Sequence, residues 1–191
     1  MRMGIFAATS AAIVLLSWRS LRAPRSHGFY RFFAFELLLT LILLNVPGWF
    51  RDPLTLRQIV SWCLLATSLG LAIEGFRLLR RIGKPVRDAC RPIDLADRLG
   101  VGALLAFENT TQLVTVGAYK FIRHPLYASG LAGAWGVCLT HPSVISLGLA
   151  LSASAFLIAT AIAEERENLT RFGAPYATYM KNSWRFVPFL F

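Results

Sequence analysis

Apolar residues gather into five long runs: about Met3 to Trp18, Phe32 to Phe50, Ile59 to Leu79, Leu126 to Thr140 and Ser143 to Ala163. Each reads as a membrane helix. Glu36 lies inside the second run and Glu74 inside the third, whereas the fifth carries no charge. His141-Pro142 separates the last two, which predicts a tight antiparallel hairpin. At about 1.5 Å per residue these two helices run roughly 22 and 31 Å. His124, just before one, and Glu164, just after the other, should then return to the same membrane face. Gly130, Gly133 and Gly136, with Ala128, Ala132 and Ala134, give the fourth run small residues that let helices pack closely.

Composition agrees with a membrane protein. Of 191 residues, 55% are hydrophobic and 16% charged, and mean hydropathy is +0.54; a soluble domain of this length does not need that much apolar surface. A net charge of +10 would suit nucleic acid, but the charges cluster beside apolar runs. Anionic membrane lipids are therefore the expected partner, and nucleic acid is not. With the N-terminus outside, the loops at 19–31, 77–124 and 164–191 are cytoplasmic and hold seventeen of the twenty Lys and Arg. Only Arg2, Arg51 and Arg57 fall on the other side, and an even number of helices breaks this sorting. Arg19, Arg22 and Arg25 follow the first run with no small-x-small cleavage pattern, which argues against a signal peptide. Cys63, Cys90 and Cys138 form no CxxC, so neither a metal nor a disulfide is expected.

The predicted fold is all-α: an integral membrane protein with about five transmembrane helices and a cytoplasmic ligand-binding region. Residues 1–191 form one domain. It divides into three N-terminal helices (1–80), a cytoplasmic loop (81–124), a helical hairpin (125–163) and a cytoplasmic C-terminal segment (164–191). Within the loop, Asp94 is expected to cap a short helix to about Phe107 lying along the interface.

The candidate chemistry sits at the two hairpin ends. Pro125 favours the first turn of a helix, whose backbone N–H groups and dipole suit an anion. Arg123, His124 and Tyr127 surround that start. Glu164 and Glu165 are expected at a helix C-terminus, where negative charge is mildly unfavourable and asks for a partner. Arg166 or Arg171 is a structural partner; a ligand ammonium or ribose hydroxyl is a functional one. Together the ends suit a zwitterion. A plainer reading makes them lipid-phosphate contacts and a solvated exit turn. Glu74 is expected to pair with Arg77, and Glu36 to reach Arg31, the interface or a cationic headgroup.

The stretch Leu113-Val114-x-x-Gly117-x-Tyr119-x-x-x-Arg123-His124-Pro125-x-Tyr127 resembles the signature of the isoprenylcysteine carboxyl methyltransferase family. So does the tail, Glu164-Glu165-x-x-x-Leu169-x-x-Phe172-Gly173-x-x-Tyr176-x-x-Tyr179, ending near Pro188. That family is similar to membrane phospholipid methyltransferases. The resemblance covers about residues 108–190 and implies a methyltransferase using S-adenosyl-L-methionine on a lipophilic or lipid substrate. It implies cofactor contacts at Thr111, Gln112, Leu113, Val114, Tyr119, His124, Pro125, Leu126, Tyr127, Glu164 and Glu165. Backbone around Leu113 and Val114 would meet the adenosine part, His124 and the helix start the amino-acid end, and Glu164 a hydroxyl or ammonium. Tyr119 or Tyr127 would face the sulfonium. One position departs from the pattern: Thr160 stands where the prenylcysteine enzymes carry an arginine linked to substrate carboxylate recognition. Carboxylate, amine and thiol acceptors therefore stay open, and no catalytic base is assigned. The alternatives are a phospholipid amine N-methyltransferase and a non-catalytic lipid-binding membrane protein.

Overall fold

The computed structural model describes residues 2–83 and 110–188. The helix expected from Asp94 to Phe107 lies outside them. Seven α-helices are described: α1 (Arg2–Leu21), α2 (His27–Asn45), α3 (Leu56–Arg81), α4 (Ala118–Phe121), α5 (Pro125–Thr140), α6 (Val144–Phe172) and α7 (Ala174–Lys181). A 3-10 turn, Val46–Gly48, follows α2. The extended backbone pairs once among the described residues, in a parallel bridge between Ile122 and Trp184.

All five apolar runs are helical over most of their length. The helix starting at His27 begins earlier than its apolar run because Ser26 caps it, accepting from the Phe29 N–H at 3.2 Å. Its end at Asn45 precedes Pro47, whose ring cannot continue an α-helix. Three helices are long and apolar enough to cross a membrane: His27–Gly48, Leu56–Arg81 and Val144–Phe172. The apolar stretch Met3–Trp18 and the 16-residue α5 are shorter. The chain is an integral membrane protein on these helices.

The fifth run corrects the sequence expectation. Helix α6 does not stop at Ala163 but continues through Glu164-Glu165-Arg166-Glu167 to Phe172. Glu, Arg and Leu are good helix formers, so loss of hydrophobicity ended the membrane run without ending the helix. The two glutamates are therefore mid-helix residues, and the unfavourable C-terminal dipole invoked for them does not apply.

Contacts divide the chain into two compact units. The first comprises Met1–Gly70 and Tyr127–Glu167; the second comprises Leu71–Leu126 and Asn168–Phe191. In the first unit α1 packs on α2, and the Ser10 hydroxyl donates to both Glu36 oxygens at 3.0 and 2.9 Å. Glu36 thus has a neighbouring helix as partner. The core joins Leu41 of α2, Ala134, Val137 and Cys138 of α5, and Ala150 of α6. Helix α3 approaches α5 closely: a Cβ on Gly136 would lie 2.9 Å from Leu65 Cγ, and Ser61 Oγ donates to the Gly136 carbonyl at 2.7 Å. Arg57 donates to the carbonyls of Leu139 and Thr140, which satisfies groups left open at the end of α5. That contact explains one of the three cations on the minority side of the charge sorting.

Candidate functional site

In the first unit, α5 and α6 form a hairpin with three residues between them. Gly130 faces Leu157, whose Cδ1 would be 3.1 Å from an added Cβ. Near the open end of this hairpin, Tyr127 Oη donates to Glu164 Oε2 at 2.5 Å. That length suits a phenol donating to a carboxylate. Glu164 is partly exposed, whereas Glu165 is 4% exposed. Consecutive helical residues point about 100° apart, so the adjacent glutamates face different surroundings. Thr160 is fully buried and donates back to the Phe156 carbonyl at 2.7 Å.

One turn beyond Glu164, Glu167 accepts from the His27 backbone N–H at 3.1 Å and lies 2.5 Å from His27 Nδ1. A carboxylate at the start of α2 is favoured by the helix dipole. Sequence reasoning missed this contact because its partners are 140 residues apart.

The remaining candidates belong to the second unit. Thr111 and Gln112 donate their backbone N–H groups to the Gly83 carbonyl at 2.9 and 3.4 Å, tying this strand of chain to the end of α3. Val114 is 4% exposed, and Leu113 is partly so. Gly117 precedes α4 with φ 59° and ψ −133°, a conformation open mainly to glycine. An added Cβ there would also meet Leu78 Cδ1 at 2.6 Å and Glu74 Oε1 at 2.9 Å. Glu74 is thus turned toward Gly117, and among the described residues no ion pair joins it to Arg77. Gly75 lets Leu126 and Pro125 approach α3, with Leu126 Cδ2 3.1 Å from its would-be Cβ.

The tail docks on this region through main chain. Trp184 N–H donates to the Phe121 carbonyl at 2.9 Å, Arg123 N–H to Trp184 at 2.7 Å, and His124 N–H to Arg185 at 3.2 Å. Arg123 Nη1 donates to the Met180 carbonyl at 2.9 Å and to the Ser183 carbonyl. Its guanidinium therefore closes the end of α7, where cations are favoured. Tyr179 Oη donates to the Tyr119 carbonyl at 2.6 Å. Burial, reinforced by Tyr176, pushes the Tyr179 phenol well above its ordinary value, against the opposing pull of Arg123 and Ser183. Tyr119 and His124 are 7% and 5% exposed, and the His124 ring lies 6.1 Å from Phe186.

Of the residues expected to bind cofactor, Tyr127, Glu164 and Glu165 fall in the first unit, with Tyr127 and Glu164 in contact. Thr111, Gln112, Leu113, Val114, Tyr119, His124, Pro125 and Leu126 fall in the second. In the first unit, the carboxylate that Tyr127 orients suits a ligand bearing an ammonium or hydroxyls. Comparison with known proteins bears on which one. Residues 95–173 match the family model for phospholipid methyltransferases. This match falls in the isoprenylcysteine carboxyl methyltransferase-like group of membrane methyltransferases, the group the signature resembles. It contains both Tyr127 and Glu164. Phospholipid methyltransferases are enzymes, so the match supports a membrane methyltransferase. No curated protein and no solved structure matches the chain.

Proposed function

We propose that the chain is an S-adenosyl-L-methionine-dependent methyltransferase acting on a lipophilic substrate within the membrane. The observation that carries this reading is the Tyr127–Glu164 hydrogen bond inside the matched segment. A carboxylate held by a phenol on a helix hairpin is a receptor for an ammonium or a ribose hydroxyl. When bound, the cofactor supplies an already activated methyl group on a sulfonium. The chain's own part is positioning. Tyr127 fixes the rotamer of Glu164, so that carboxylate anchors a cationic or hydroxyl group without searching orientations. The apolar, small-residue surface of α5 keeps water away from the transfer. His124 and the backbone at Leu113 and Val114 are the further contacts that the sequence signature carries.

A carboxylate or thiolate acceptor needs no base, whereas an ammonium headgroup must first lose a proton. Buried Glu165 is the candidate acceptor of that proton. A specific observation favours the amine reading over a prenylcysteine carboxylate. Thr160 stands in place of the family's arginine and spends its hydroxyl on the Phe156 carbonyl, so this position offers no cation to a substrate carboxylate. The name of the matching family points the same way. Five spans, an outside N-terminus and a cytoplasmic site complete the proposal, supported by the clustering of Lys and Arg.

The test is cofactor titration of detergent-purified protein, followed by incubation of labelled cofactor with membrane extract. Glu164→Gln should weaken cofactor binding about 10- to 100-fold, the range for losing a charge-assisted hydrogen bond. Tyr127→Phe should cost only a few-fold. Label in an aminophospholipid fixes the acceptor; label in a carboxyl ester sinks the amine reading. No binding at millimolar cofactor and no effect of Glu164→Gln would leave the non-catalytic lipid-binding alternative.

A further inference from the structure

The hairpin-turn end of the first unit lies away from Tyr127 and Glu164, and methyl transfer does not account for its surface. All three helices long enough to cross a membrane meet there: His27–Gly48 stops, while Leu56–Arg81 and Val144–Phe172 start. The loops that join them are knitted together. A Cβ on Gly48 would lie 2.6 Å from His141 Cβ and 3.0 Å from the Thr140 carbonyl oxygen. Asn45 Nδ2 donates to Ser146 Oγ at 3.1 Å. Five large apolar side chains nevertheless face outward at this end: Phe50, Leu54, Leu56, Val144 and Ile145 are between 66% and 89% exposed. Arg51 and Asp52, also exposed, lie between the first two along the chain.

Apolar surface of this kind is unfavourable in water and marks a contact with something else. Three observations say what covers it. The patch is continuous with the membrane-crossing helices, since it fills the link between two of them and opens the third. Its polar groups are tied off within the protein: Arg51 N–H donates to the Gly48 carbonyl at 3.2 Å and Thr55 N–H to that of Asp52 at 3.1 Å, while Arg57 donates to the Leu139 and Thr140 carbonyls. Backbone satisfied in this way tolerates a medium poor in water. Helix α5, with 16 residues, rises about 24 Å against about 30 Å of hydrocarbon. The turn that follows it therefore stays among the acyl chains when the Tyr127 end stands at the opposite boundary. We infer that the α2–α3 loop and the first turn of α6 are immersed in the acyl chains of the bilayer, with Arg51 snorkelling to the headgroups. The partner of this surface is phospholipid acyl chain, and the contact fixes the depth at which the hairpin rides.

Photolabelling of the full native chain in phosphatidylcholine vesicles tests the inference. One probe is a phosphatidylcholine with a diazirine in its acyl chain; the other is a small water-soluble diazirine. The ratio of acyl-chain to aqueous label at 50–56 and 144–145 should match that at Leu69, an exposed residue midway along α3. It should exceed the ratio at exposed Lys181 several-fold. A loop labelled mainly from water overturns the assignment. A loop labelled by neither probe overturns it too, because a protein surface, such as a second copy of the chain, then covers the patch. Leu54 is almost fully exposed, so Leu54→Asp removes little packing. It should nonetheless lower the thermal unfolding midpoint in vesicles, while Leu54→Met should not; an Asp variant as stable as the parent overturns the inference. Should Leu54→Asp fail to fold, the labels on the native chain decide alone. None of these readouts needs methyl transfer, so the inference stands or falls apart from the enzymatic reading.

Discussion

Two glycines share one backbone conformation. Gly117 has φ 59° and ψ −133°, and Gly173 has φ 61° and ψ −134°; each precedes a helix of the second unit, α4 and α7. A residue with a Cβ is strained there by about 1–3 kcal/mol. Their spatial settings differ, and the difference is measurable. Gly173→Ala meets nothing within 4 Å, whereas Gly117→Ala drives its Cβ into Leu78 and Glu74. Thermal unfolding should therefore show a modest loss for Gly173→Ala and a clearly larger one for Gly117→Ala. Both glycines were visible in the sequence signature, but their geometry was not: nothing local to Gly117 says that α3 passes beneath it. Arg123 was likewise legible as a basic residue before a helix. Its role required the chain to fold back through Met180 and Ser183, which no spacing rule encodes. Glu164 was expected at a helix end and lies mid-helix, because polarity marked the end of an apolar run and not the end of a helix.

Helix α7 is held by side-chain bonds that run to other segments of the second unit. Its last turn is closed by Arg123, and its Tyr179 bonds the Tyr119 carbonyl. Arg123→Gln should loosen the tail by about 1–3 kcal/mol, the range for leaving buried acceptors unpaired. Limited proteolysis should then cut after 173 sooner than in the parent protein. The pH dependence has a definite sign. The folded state holds the Tyr179 proton to higher pH than the unfolded chain does. The stability this gives is therefore fully present below about pH 10 and is lost as pH rises from there toward the raised folded value. Tyr179→Phe should flatten that alkaline loss, read by tail proteolysis across the range. The helices themselves were legible because lipid demands long apolar runs. Boundaries were less so: Ser26 moved one start and the helix-forming run after Ala163 moved one end.

For the whole molecule, the membrane class could be read from composition, and three helices meet the length for crossing outright. Helix α6 adds a mechanical consequence. Val144 and Glu164 belong to one unbroken helix, and twenty steps of about 1.5 Å separate them by roughly 30 Å. That is close to the hydrocarbon thickness of a bilayer, about 30 Å. The span is thus a ruler with a carboxylate at its far mark. A thicker bilayer must draw that mark toward the hydrocarbon or thin around it, and a thinner one must tilt the rod. Reconstitution in lipids of graded acyl length should give maximal cofactor binding near the matched thickness and a decline on either side. A flat profile would mean that the ruler slips.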